Sequence, residues 1–348
     1  MKVAIIIPRL TQLGPIKVVE TLVNSLFGNE IITVKVFYLD RIVDPQIKMK
    51  VPVERLNLKT FCFRDYDIIH TNGIRPDLIA SINRKKIKYH ISTIHNLVFE
   101  DFRYTYNPLI SLMLGYIWLF LWRGTNKLVC ISDTMKKYYG KWYTLSKLEV
   151  IYNGIPNPDK SITPDSEVIM VINDFRSQGL KVIGCAGILT KRKGVDQVLK
   201  LMSIQKELAL IIIGCGMEVA NLKNLVKKLK ITERCYFCGF KSDAVGYLKY
   251  LDYFIMPSRS EGFGLTLIEA VQQKVPVICS DISVFKELFT KDEVTFFKLE
   301  NINSLSLALK EAIETASIKI NLAFRRYEKC YTDQIMAGNY YRLYQSCS

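Results

Sequence analysis

The sequence predicts an α/β protein made of two parallel-sheet domains, and three observations support this fold class. Short apolar strands alternate with helical patterns along the chain, an order typical of parallel βαβ units. The chain has 348 residues, about two domains' worth at roughly 100 to 200 residues each. A stretch rich in turn-forming residues lies near the middle, at residues 153–158 and on through Ser161 and Pro164, where a linker is expected.

The first domain is predicted to span residues 1–165. Its apolar runs are short and bounded by polar or turn-forming residues, which indicates buried strands, and the amphipathic segments between them indicate helices. The predicted elements are strand 3–7, helix 17–26, strands 31–38 and 68–70, helix 76–84 and strand 89–94.

The second domain is predicted to span residues 166–330. Ligands of open α/β sheets bind at the carboxyl ends of the strands, so the loops after its strands are the expected binding segments. Its main elements are strand 182–186 with the glycine-led loop 187–194, strand 253–256, a helix that starts at 265–271 and strand 275–279.

The loop after strand 253–256 carries the strongest functional signal. Glu261 and Glu269 flank a glycine turn that runs into a helix, and two carboxylates in such a place suit a polyhydroxylated ligand. Gly262 and Gly264 let backbone N–H groups approach the ligand, and the helix start offers a positive dipole end to phosphate. A nucleotide sugar carries both hydroxyl groups and phosphate groups. A plain surface loop with a capping glutamate is the alternative, but the position after a buried strand argues against it.

These residues resemble the signature of the family 4 retaining glycosyltransferases, which have the GT-B fold of two Rossmann-like domains facing across a cleft. The family's two glutamates, separated by seven residues, are matched by Glu261 and Glu269, and its glycine-led loop ending in Lys-Gly is matched by residues 187–194. The resemblance is clearest over residues 182–287 and continues more weakly through the first half. It implies that residues 331–348 form a helix that packs back on the N-terminal domain.

The resemblance also implies a role for each site residue. Glu269 would bind the ribose hydroxyls of the donor, and Glu261 the hydroxyls of the transferred sugar. Lys193 would stabilise the diphosphate leaving group, and His95, which matches the family's Thr-x-His, would lie beside the transferred sugar. His95, Glu261 and Lys193 are therefore the expected catalytic residues. The expected donor-binding residues are Gly14, Arg192, Lys193, Gly262, Phe263, Gly264, Leu265, Thr266 and Glu269.

Three positions depart from the family pattern. Ile188 stands where the family usually has an arginine on the diphosphate, so either Arg192 substitutes from the same loop or the donor is held less tightly. Gly14 is the one glycine left of a usual pair after the first strand, and a plain strand-to-helix turn is the alternative there. Lys274 stands where the family commonly has glycine, which bears on the geometry of a turn more than on chemistry.

The three histidines differ in their expected roles. His95 ends a predicted strand, and the alternative to its catalytic role is a satisfied polar residue at a strand end. His70 also closes an apolar strand and is a second candidate, for the acceptor site. His90 lies among lysines at a strand start and is expected to be structural.

We expect no metal ion and no cofactor besides the nucleotide-sugar co-substrate, because Lys193, loop amides and a helix end can carry the diphosphate charge. The nine cysteines are scattered, and the one close pair, Cys235 and Cys238, has no second pair or nearby histidine to complete a zinc site. The cysteines are therefore predicted to be buried, reduced thiols of a cytoplasmic protein.

The net charge of +15 predicts an anionic partner. Nucleic acid is not expected, since no helix-turn-helix, zinc-finger or RNA-binding signature accompanies the charge and the basic helix 221–230 keeps its apolar residues on one face. An anionic membrane surface fits better. Basic residues cluster at 84–88, and the apolar, aromatic helix 109–122 is followed by Arg123 and Lys127, as in peripheral docking. A buried core helix is an equal alternative for residues 109–122.

The expected location is the cytoplasm, peripheral at the inner face of the membrane. The longest uncharged apolar run, 109–122, has 14 residues, whereas a spanning helix needs about 20. The amino-terminal apolar run is too short for a secretory signal.

The expected function is retaining, metal-independent transfer of a hexose or N-acetylhexosamine from a nucleoside diphosphate sugar, with UDP favoured over GDP. The acceptor would be a glycan or a lipid-linked carrier, in bacterial surface polysaccharide or lipopolysaccharide O-antigen biosynthesis, as the resemblance implies. Two alternatives stay open. One is a GT-B enzyme of another reaction type, a phosphorylase or an epimerase, and the other is a non-enzymatic basic protein that binds anions.

Overall fold

A computed structural model of the chain describes residues 1–41, 44, 47–104, 106–158 and 164–347. It divides into two compact units, each with a parallel sheet, so the predicted α/β class is confirmed. Unit 1 comprises Met1–Pro156 and Cys330–Ser348, and unit 2 comprises Asn157–Lys329. The change of unit at Asn157 comes before the predicted boundary at residue 166. Ser161 of the predicted linker lies outside the described residues.

Unit 1 begins with parallel strands that alternate with helices. Their order in the sheet is β3-β2-β1-β4-β5-β6-β7. Successive strands are added on one side of β1 up to β3 and on its other side from β4 onward, so the topological switch point lies between β1 and β4. Sheets of this type bind ligands at the loops that follow the strands at this point. The elements are β1 (Lys2–Ile7), α1 (Gly14–Leu26), β2 (Thr33–Tyr38), β3 (Val53–Arg55), β4 (Ile68–Asn72), α2 (Ile74–Ile82), β5 (Tyr89–Ile94), α3 (Val98–Phe102), α4 (Pro108–Leu121), β6 (Lys127–Cys130), α5 (Asp133–Tyr139) and β7 (Leu148–Val150).

Unit 2 repeats this plan. Its sheet has the order β10-β9-β8-β11-β12-β13, so its switch point lies between β8 and β11, the two strands whose loops carry the predicted donor site. The elements are α6 (Ser166–Ser177), β8 (Lys181–Ala186), α7 (Val195–Ile204), β9 (Leu208–Ile213), α8 (Val219–Lys228), β10 (Cys235–Gly239), α9 (Val245–Leu248), β11 (Tyr253–Met256), α10 (Leu265–Gln272), β12 (Val277–Ser280), α11 (Ser283–Leu288), β13 (Thr295–Phe297) and α12 (Ile302–Cys330).

A short break separates the C-terminal helix, predicted at residues 331–348, from α12. After α12 the chain bends at Tyr331, whose carbonyl accepts a hydrogen bond from Ile155 N at 2.9 Å, and is extended at Thr332. A new helix, α13 (Asp333–Gln345), follows, and the Thr332 side chain caps it by accepting from Ile335 N. Helix α13 packs against α1 within unit 1, as the resemblance implies for the C-terminal helix.

Helix α4 is held to the sheet of unit 1 by one buried carboxylate. Asp77 of α2 is fully buried, and its Oδ2 accepts from Trp118 Nε1 at 2.7 Å and from Trp122 Nε1 at 2.8 Å. Its Oδ1 accepts from Thr71 Oγ1 and Ser92 Oγ. Because four donors satisfy this carboxylate, it joins α2, α4, β4 and β5 without an opposite charge.

The opposite face of α4 is apolar and exposed. Neither of the two interpretations of residues 109–122 is therefore complete, because one face of the helix lies in the core and the other does not. No helix among the described residues is long and apolar enough to cross a membrane. The residues of this exposed face, called the α4 apolar face below, are Leu109, Leu112, Met113, Tyr116, Ile117 and Phe120.

The cysteines are free thiols, as predicted, but they are not all buried. Cys62 and Cys215 are exposed. Cys215 lies in a loop between Gly214 and Gly216, and Cys62 precedes a short 3₁₀ turn, so neither side chain belongs to a strand or helix face that a core would cover.

Candidate active site

Two loops of unit 2 meet at its switch point. The loop after β8, residues 187–194, and the loop after β11, residues 257–264, are joined by a hydrogen bond from Arg259 N to Arg192 O at 2.7 Å. Gly194 has a φ of 67°, and a Cβ there would lie 2.1 Å from the Pro257 carbonyl oxygen. Only glycine permits this approach, which brings the predicted residues of the two loops together.

Glu261 is the centre of a charge cluster formed by these loops. Its Oε1 accepts from Lys193 Nζ at 2.6 Å and from Ser258 Oγ at 2.8 Å. Its Oε2 accepts from Arg192 Nη1 at 3.1 Å. The Glu261 side chain is only 8% exposed. Two cations around one carboxylate leave a positive balance in the cluster, which suits an anionic ligand.

The protonation state of Glu261 follows from two opposing effects. Burial by itself raises the pKa of a carboxyl group, but the charges of Lys193 and Arg192, with hydrogen bonds from Lys193 and Ser258, outweigh it. The pKa of Glu261 is lowered to about 2. The carboxylate is therefore ionised, and a weak base, throughout the neutral range.

Helix α10 begins directly after the glycine turn. Gly264 has a φ of 103°, and a Cβ there would lie 2.7 Å from Phe285 Cε1, so the turn requires glycine. Leu265 and Thr266 open the helix, and among the described residues no side chain caps it. The N–H groups of its first turn therefore present the positive end of the helix dipole.

The remaining donor-site residues of unit 2 lie on the same loop and helix. Gly262 and Phe263 are buried, so Phe263 packs its ring inside and can offer a ligand only its backbone. Glu269 is half-buried in the second turn of α10. The structure thus brings Lys193, Arg192 and Glu261 into contact and places the other residues on the segment that follows.

In unit 1, Gly14 and His95 lie near the switch point, on the segments that follow β1 and β5. Gly14 opens α1 after β1, and among the described residues no side chain caps this helix. His95 follows β5, and its Nε2 lies 3.0 Å from Asn72 Oδ1, at the end of β4. Burial lowers the pKa of His95 to about 4, so the ring is neutral near pH 7.

The other two histidines are parts of the core. His70 Nδ1 lies 2.7 Å from Tyr344 Oη and its Nε2 lies 2.8 Å from Thr93 Oγ1, so both ring nitrogens are engaged. The suggestion that His70 lines an acceptor site is therefore wrong, because α13 covers it. His90 Nε2 lies 2.8 Å from Thr71 Oγ1 inside the sheet region, so its structural role is confirmed.

Comparison with known proteins shows the family of the chain. The O-antigen biosynthesis glycosyltransferase WclY of Escherichia coli is 37% identical over 306 residues, which cover 85% of this chain and 84% of WclY. The chain belongs to glycosyltransferase family 4. The family profile "Glycosyl transferases group 1" matches residues 172–329, and the profile "Glycosyltransferase Family 4" matches residues 28–157. The resemblance seen in the sequence is thus confirmed.

Two further comparisons extend this result. The lipopolysaccharide core biosynthesis mannosyltransferase LpsB of Rhizobium meliloti (strain 1021) is 34% identical over 119 residues, or 32% of this chain and 34% of LpsB. The crystal structure of Anabaena HepE in complex with UDP-glucose matches with a TM-score of 0.83 at 16% identity, covering 99% of this chain and 100% of HepE. The GT-B fold of this glycosyltransferase is therefore confirmed.

Ile188 stands where family 4 usually has an arginine, and the same loop carries another cation, Arg192, beside Lys193. The Ile188 side chain is 51% exposed, whereas Arg192 lies against Glu261 beside Lys193. The loop therefore still presents two cations to the glutamate, although one of them comes from a different position.

Lys274 keeps the turn that family 4 commonly makes with glycine. Its φ is 55°, a left-handed conformation that costs a non-glycine residue roughly 1–2 kcal/mol. Its Nζ lies 4.4 Å from the ring centre of Phe324, and this cation–π contact offsets part of the cost. The altered residue therefore leaves the turn in place.

One Asp-x-Asp triplet, Asp65-Tyr66-Asp67, occurs in the chain. It precedes β4, at the amino end of the sheet, whereas Gly14 and His95 follow the carboxyl ends of their strands. Asp67 accepts hydrogen bonds from Lys2 N at 2.8 Å and from Lys88 Nζ at 3.0 Å. Among the described residues, no three His, Cys, Asp or Glu side chains are grouped as a possible metal site.

Sequence reasoning missed the residue that braces the lysine loop. Arg259 forms two hydrogen bonds of 2.9 Å to the carboxylate of Asp196, and it also donates to Lys191 O and Glu300 Oε1. Arg259 lies in the same loop as Glu261, and these bonds attach that loop to the turn that contains Lys193. Its partners are remote in sequence, so no local pattern revealed them. Asn72, which contacts His95 from 23 residues away, was missed for the same reason. Ser258, which donates to Glu261 three residues on, was missed because a serine in a loop is too common to be a signal.

Proposed function

We propose that this glycosyltransferase moves a hexose or N-acetylhexosamine from a nucleoside diphosphate sugar, with UDP favoured over GDP, to a glycan or lipid-linked acceptor. The proposed pathway is bacterial surface polysaccharide or lipopolysaccharide O-antigen biosynthesis. The names of WclY and LpsB, and the UDP-glucose in the HepE crystal structure, support this choice. The observation that carries the proposal is the contact of Lys193 and Arg192 with Glu261 at the switch point of unit 2.

The two cations are proposed to hold the donor diphosphate. Lys193 and Arg192 share one carboxylate, so a diphosphate that approaches them meets positive charge that is only partly neutralised. The first N–H groups of α10, at Leu265 and Thr266, add the positive end of the helix dipole. As the sugar bond breaks, these groups stabilise the charge that builds on the leaving phosphate, so no metal ion is required in this proposal.

The two glutamates are proposed to bind hydroxyl groups. Glu269 accepts from the ribose hydroxyls, since an ionised carboxylate accepts two donors at once. Glu261, with the backbone of residues 262–264, binds hydroxyls of the transferred sugar. His95 contacts the transferred sugar as a neutral ring, and Gly14, at the amino end of α1, faces the donor phosphates.

Retention is proposed to occur by reaction on one face of the sugar, with the leaving phosphate taking the proton of the acceptor. A covalent carboxylate intermediate, as in retaining hydrolases, is disfavoured because Glu261 is bound to two cations. The lowered pKa of Glu261, about 2, also makes it a poor nucleophile. The leaving diphosphate is then the nearest base on the reacting face.

The test combines nucleotide release with product stereochemistry. We expect free nucleoside diphosphate to appear only when a sugar acceptor is present, and the product to keep the anomeric configuration of the donor when followed by proton NMR. Turnover should persist in excess EDTA. Phosphate-dependent glycan breakdown would instead indicate a phosphorylase, donor isomerisation an epimerase, and nucleotide binding without turnover a binding protein. Loss of turnover in EDTA with recovery in manganese would refute the metal-free part.

The α4 apolar face is proposed to dock on an anionic membrane from the cytoplasmic side. Leu109 is 78% exposed and Phe120 is 63% exposed, and a contiguous exposed apolar patch of this kind typically marks an interaction site. The Arg123 guanidinium lies 5.5 Å from the ring centre of Phe120, so the face ends in a cation. Apolar and aromatic side chains with adjacent basic groups are typical of helices that lie in a membrane interface.

Other residues of unit 1 extend this surface. Tyr116 contacts Phe99, and Phe99 contacts Trp142, with ring centres 5.1 and 5.6 Å apart. Arg84 lies beside Gly124, directly after α4, since a Cβ on Gly124 would be 3.5 Å from Arg84 Cδ. The basic cluster at residues 84–88 therefore adjoins the C-terminal end of the apolar face.

Sedimentation with vesicles that contain phosphatidylglycerol tests this docking. We expect binding at low salt that high salt reverses, because screening shortens the field to about 8 Å at physiological ionic strength. Replacing Leu112 and Phe120 together by serine should abolish binding. The matched control replaces Leu307 and Ile318 of α12, which are 65% and 66% exposed, and should bind as the wild type does.

The basic cluster can be tested separately. Neutralising Arg84, Lys85, Lys86 and Lys88 together should weaken vesicle binding, since each cation contributes about 1 kcal/mol near an anionic surface. Donor affinity should not change. Vesicle binding that is absent at low salt, or unaffected by both sets of substitutions, would remove the membrane from the proposal and leave the glycosyltransferase activity untouched.

A further inference from the structure

Asn72 ends β4 at the switch point of unit 1 and is 3% exposed. β4 pairs with β1 on one side and with β5 on the other, so its carboxyl end lies between the strands that lead to Gly14 and to His95. Gly73, with a φ of 101°, turns the chain from Asn72 directly into α2. Asn72 is thus held in the middle of the edge where open α/β sheets bind their ligands.

The contact between Asn72 and His95 assigns the hydrogen of the imidazole ring. Asn72 Oδ1 lies 3.0 Å from His95 Nε2, and because a carbonyl oxygen can only accept, Nε2 carries the hydrogen. Burial lowers the pKa of His95 to about 4, so near pH 7 the ring carries this hydrogen alone. Nδ1 is therefore left as an acceptor, which suits the O–H of a sugar.

The amide nitrogen of Asn72 is a buried donor. Asn72 Nδ2 has no hydrogen-bonding partner among the residues that the structure describes. Thr11 Oγ1, in the loop after β1, is in the same condition, so both loops at the switch point hold a buried polar group that lacks a partner in the described chain. A buried donor left unpaired lowers stability, and an acceptor on a bound ligand would account for its presence.

We infer that Asn72 positions His95 and binds the transferred sugar: its Oδ1 fixes His95 in the Nε2–H form, and its Nδ2 donates to a sugar oxygen. This inference rests on the proposed function, in which His95 contacts that sugar. The pair offers one acceptor and one donor, both neutral. It is therefore matched to hydroxyl groups, whereas the charged cluster of Lys193, Arg192 and Glu261 is matched to phosphate.

The role of Asn72 in positioning His95 can be tested without an activity assay. The protein has three histidines, so ¹⁵N NMR of the labelled imidazoles gives three patterns, and His95→Gln identifies the one from His95. We expect wild-type His95 to carry its hydrogen on Nε2 between pH 6 and 7.5. Asn72→Leu should remove this preference and populate both tautomers. A wild-type His95 with its hydrogen on Nδ1 would overturn the assignment.

The sugar contact is tested by kinetics. Asn72→Leu keeps the size of the side chain and removes both polar atoms, so we expect kcat to fall by about 10- to 100-fold while nucleoside diphosphate affinity stays within twofold. Asn72→Asp keeps an acceptor for His95 but adds a negative charge, so the acid limb of the kcat profile should move to higher pH by at least one unit. A structural role alone would not move this limb.

Asn126→Leu is the matched control. Asn126 Oδ1 accepts from His90 N at 2.8 Å, at the amino end of β5, and this variant should keep kcat within twofold. A folded Asn72→Leu enzyme with wild-type kcat would overturn the sugar contact, and so would an unshifted acid limb in Asn72→Asp. A His95→Gln enzyme with wild-type kcat would refute the proposed role of His95 and the sugar contact with it, whereas the NMR result decides the positioning half independently.

Discussion

Units 1 and 2 have the same strand arrangement around their switch points but place different side chains there. In unit 2, Lys193 and Arg192 meet Glu261 in a cluster of three charges. In unit 1, His95 meets Asn72, and burial keeps the imidazole neutral. The strand order therefore determines where a ligand can bind, and the charge state of the loop residues determines which part of it binds. In the proposed function, the charged loops of unit 2 take the diphosphate and the neutral pair of unit 1 takes sugar hydroxyls.

The largest expected effect comes from removing a cation of unit 2. Lys193→Ala should lower kcat by about 10²–10³-fold, the usual range for losing a group that stabilises developing negative charge. Nucleoside diphosphate should lose more affinity than the bare nucleoside, as measured by titration calorimetry. Lys191→Ala, in the same turn but with an exposed side chain, is the control and should behave as the wild type. Equal losses for nucleotide and nucleoside would contradict the phosphate role.

Glu269→Ala should have the next largest effect. Loss of a hydrogen bond to a charged group costs about 1.5–3 kcal/mol, so donor affinity should fall by roughly 10- to 150-fold with the fold intact. Calorimetry with the nucleoside diphosphate and with its 2′-deoxy analogue makes the test specific, because the mutant should no longer distinguish the two. Glu233→Ala, in the turn before β10, is the control. Unchanged affinity in Glu269→Ala would mean that another residue binds the ribose.

The units should also differ in their response to acid. Burial lowers the pKa of His70 and His90 to about 3 and that of His95 to about 4, and all three lie in unit 1. Between pH 6.5 and pH 4 these histidines bind protons in the unfolded chain but stay neutral in the folded one. Protonation therefore favours the unfolded state, and the stability of unit 1 falls as the pH falls through this window. Glu261 of unit 2, with its pKa lowered to about 2, loses its contribution only below about pH 4.5.

Tryptophan fluorescence can isolate the acid response of unit 1, because Trp118, Trp122 and Trp142 are the three tryptophans of the chain and all lie in that unit. The raised pKa values of Asp77 and Glu20 act in the opposite direction, so the informative quantity is a difference between proteins. The urea midpoint of the wild type should fall more steeply from pH 7 to pH 5 than that of His95→Gln. Identical slopes would show that His95 titrates normally in the folded protein.

The smallest expected effect concerns the turn at Lys274. Lys274→Ala keeps the left-handed strain and removes the contact with Phe324, whereas Lys274→Gly removes both. The glycine variant should therefore be more stable than the alanine variant by about 1 kcal/mol. Thermal unfolding followed by circular dichroism measures this. An alanine variant as stable as the glycine variant would mean that the turn stores no strain.

Strands and helices could be predicted from the sequence where the local residue pattern determines the structure. Strand 89–94 and strand 253–256 match the observed β5 and β11, because short apolar runs between turns have few other solutions. Helix α1 begins at Gly14, earlier than the predicted residue 17, because Pro15 suits the first turn of a helix. The glycines that bring the two loops of unit 2 together lie inside recognisable motifs, so their neighbourhood could be predicted from the family resemblance.

Long-range partners could not be predicted in this way. His70 and His95 both end strands predicted from the sequence. Their roles differ because Tyr344, 274 residues away in the chain, forms a hydrogen bond with His70 and buries it. Arg259 meets Asp196 across 63 residues. The sequence also could not predict which face of α4 is exposed, because both faces are apolar. The hydrogen bond from Trp118 to Asp77 shows which face lies inside.

The position of α13 determines the order in which the chain can fold during synthesis. Tyr340 and Tyr344 are fully buried in unit 1, where their hydroxyls bond Thr93 at 2.9 Å and His70 at 2.7 Å. Domains usually fold in the order in which the ribosome makes them. Unit 1 therefore cannot complete its core until α13 has been made, whereas Asn157–Lys329 precedes α13 in the chain and has its own compact fold. Residues 1–156 are therefore synthesised before unit 2, but unit 1 is completed after it.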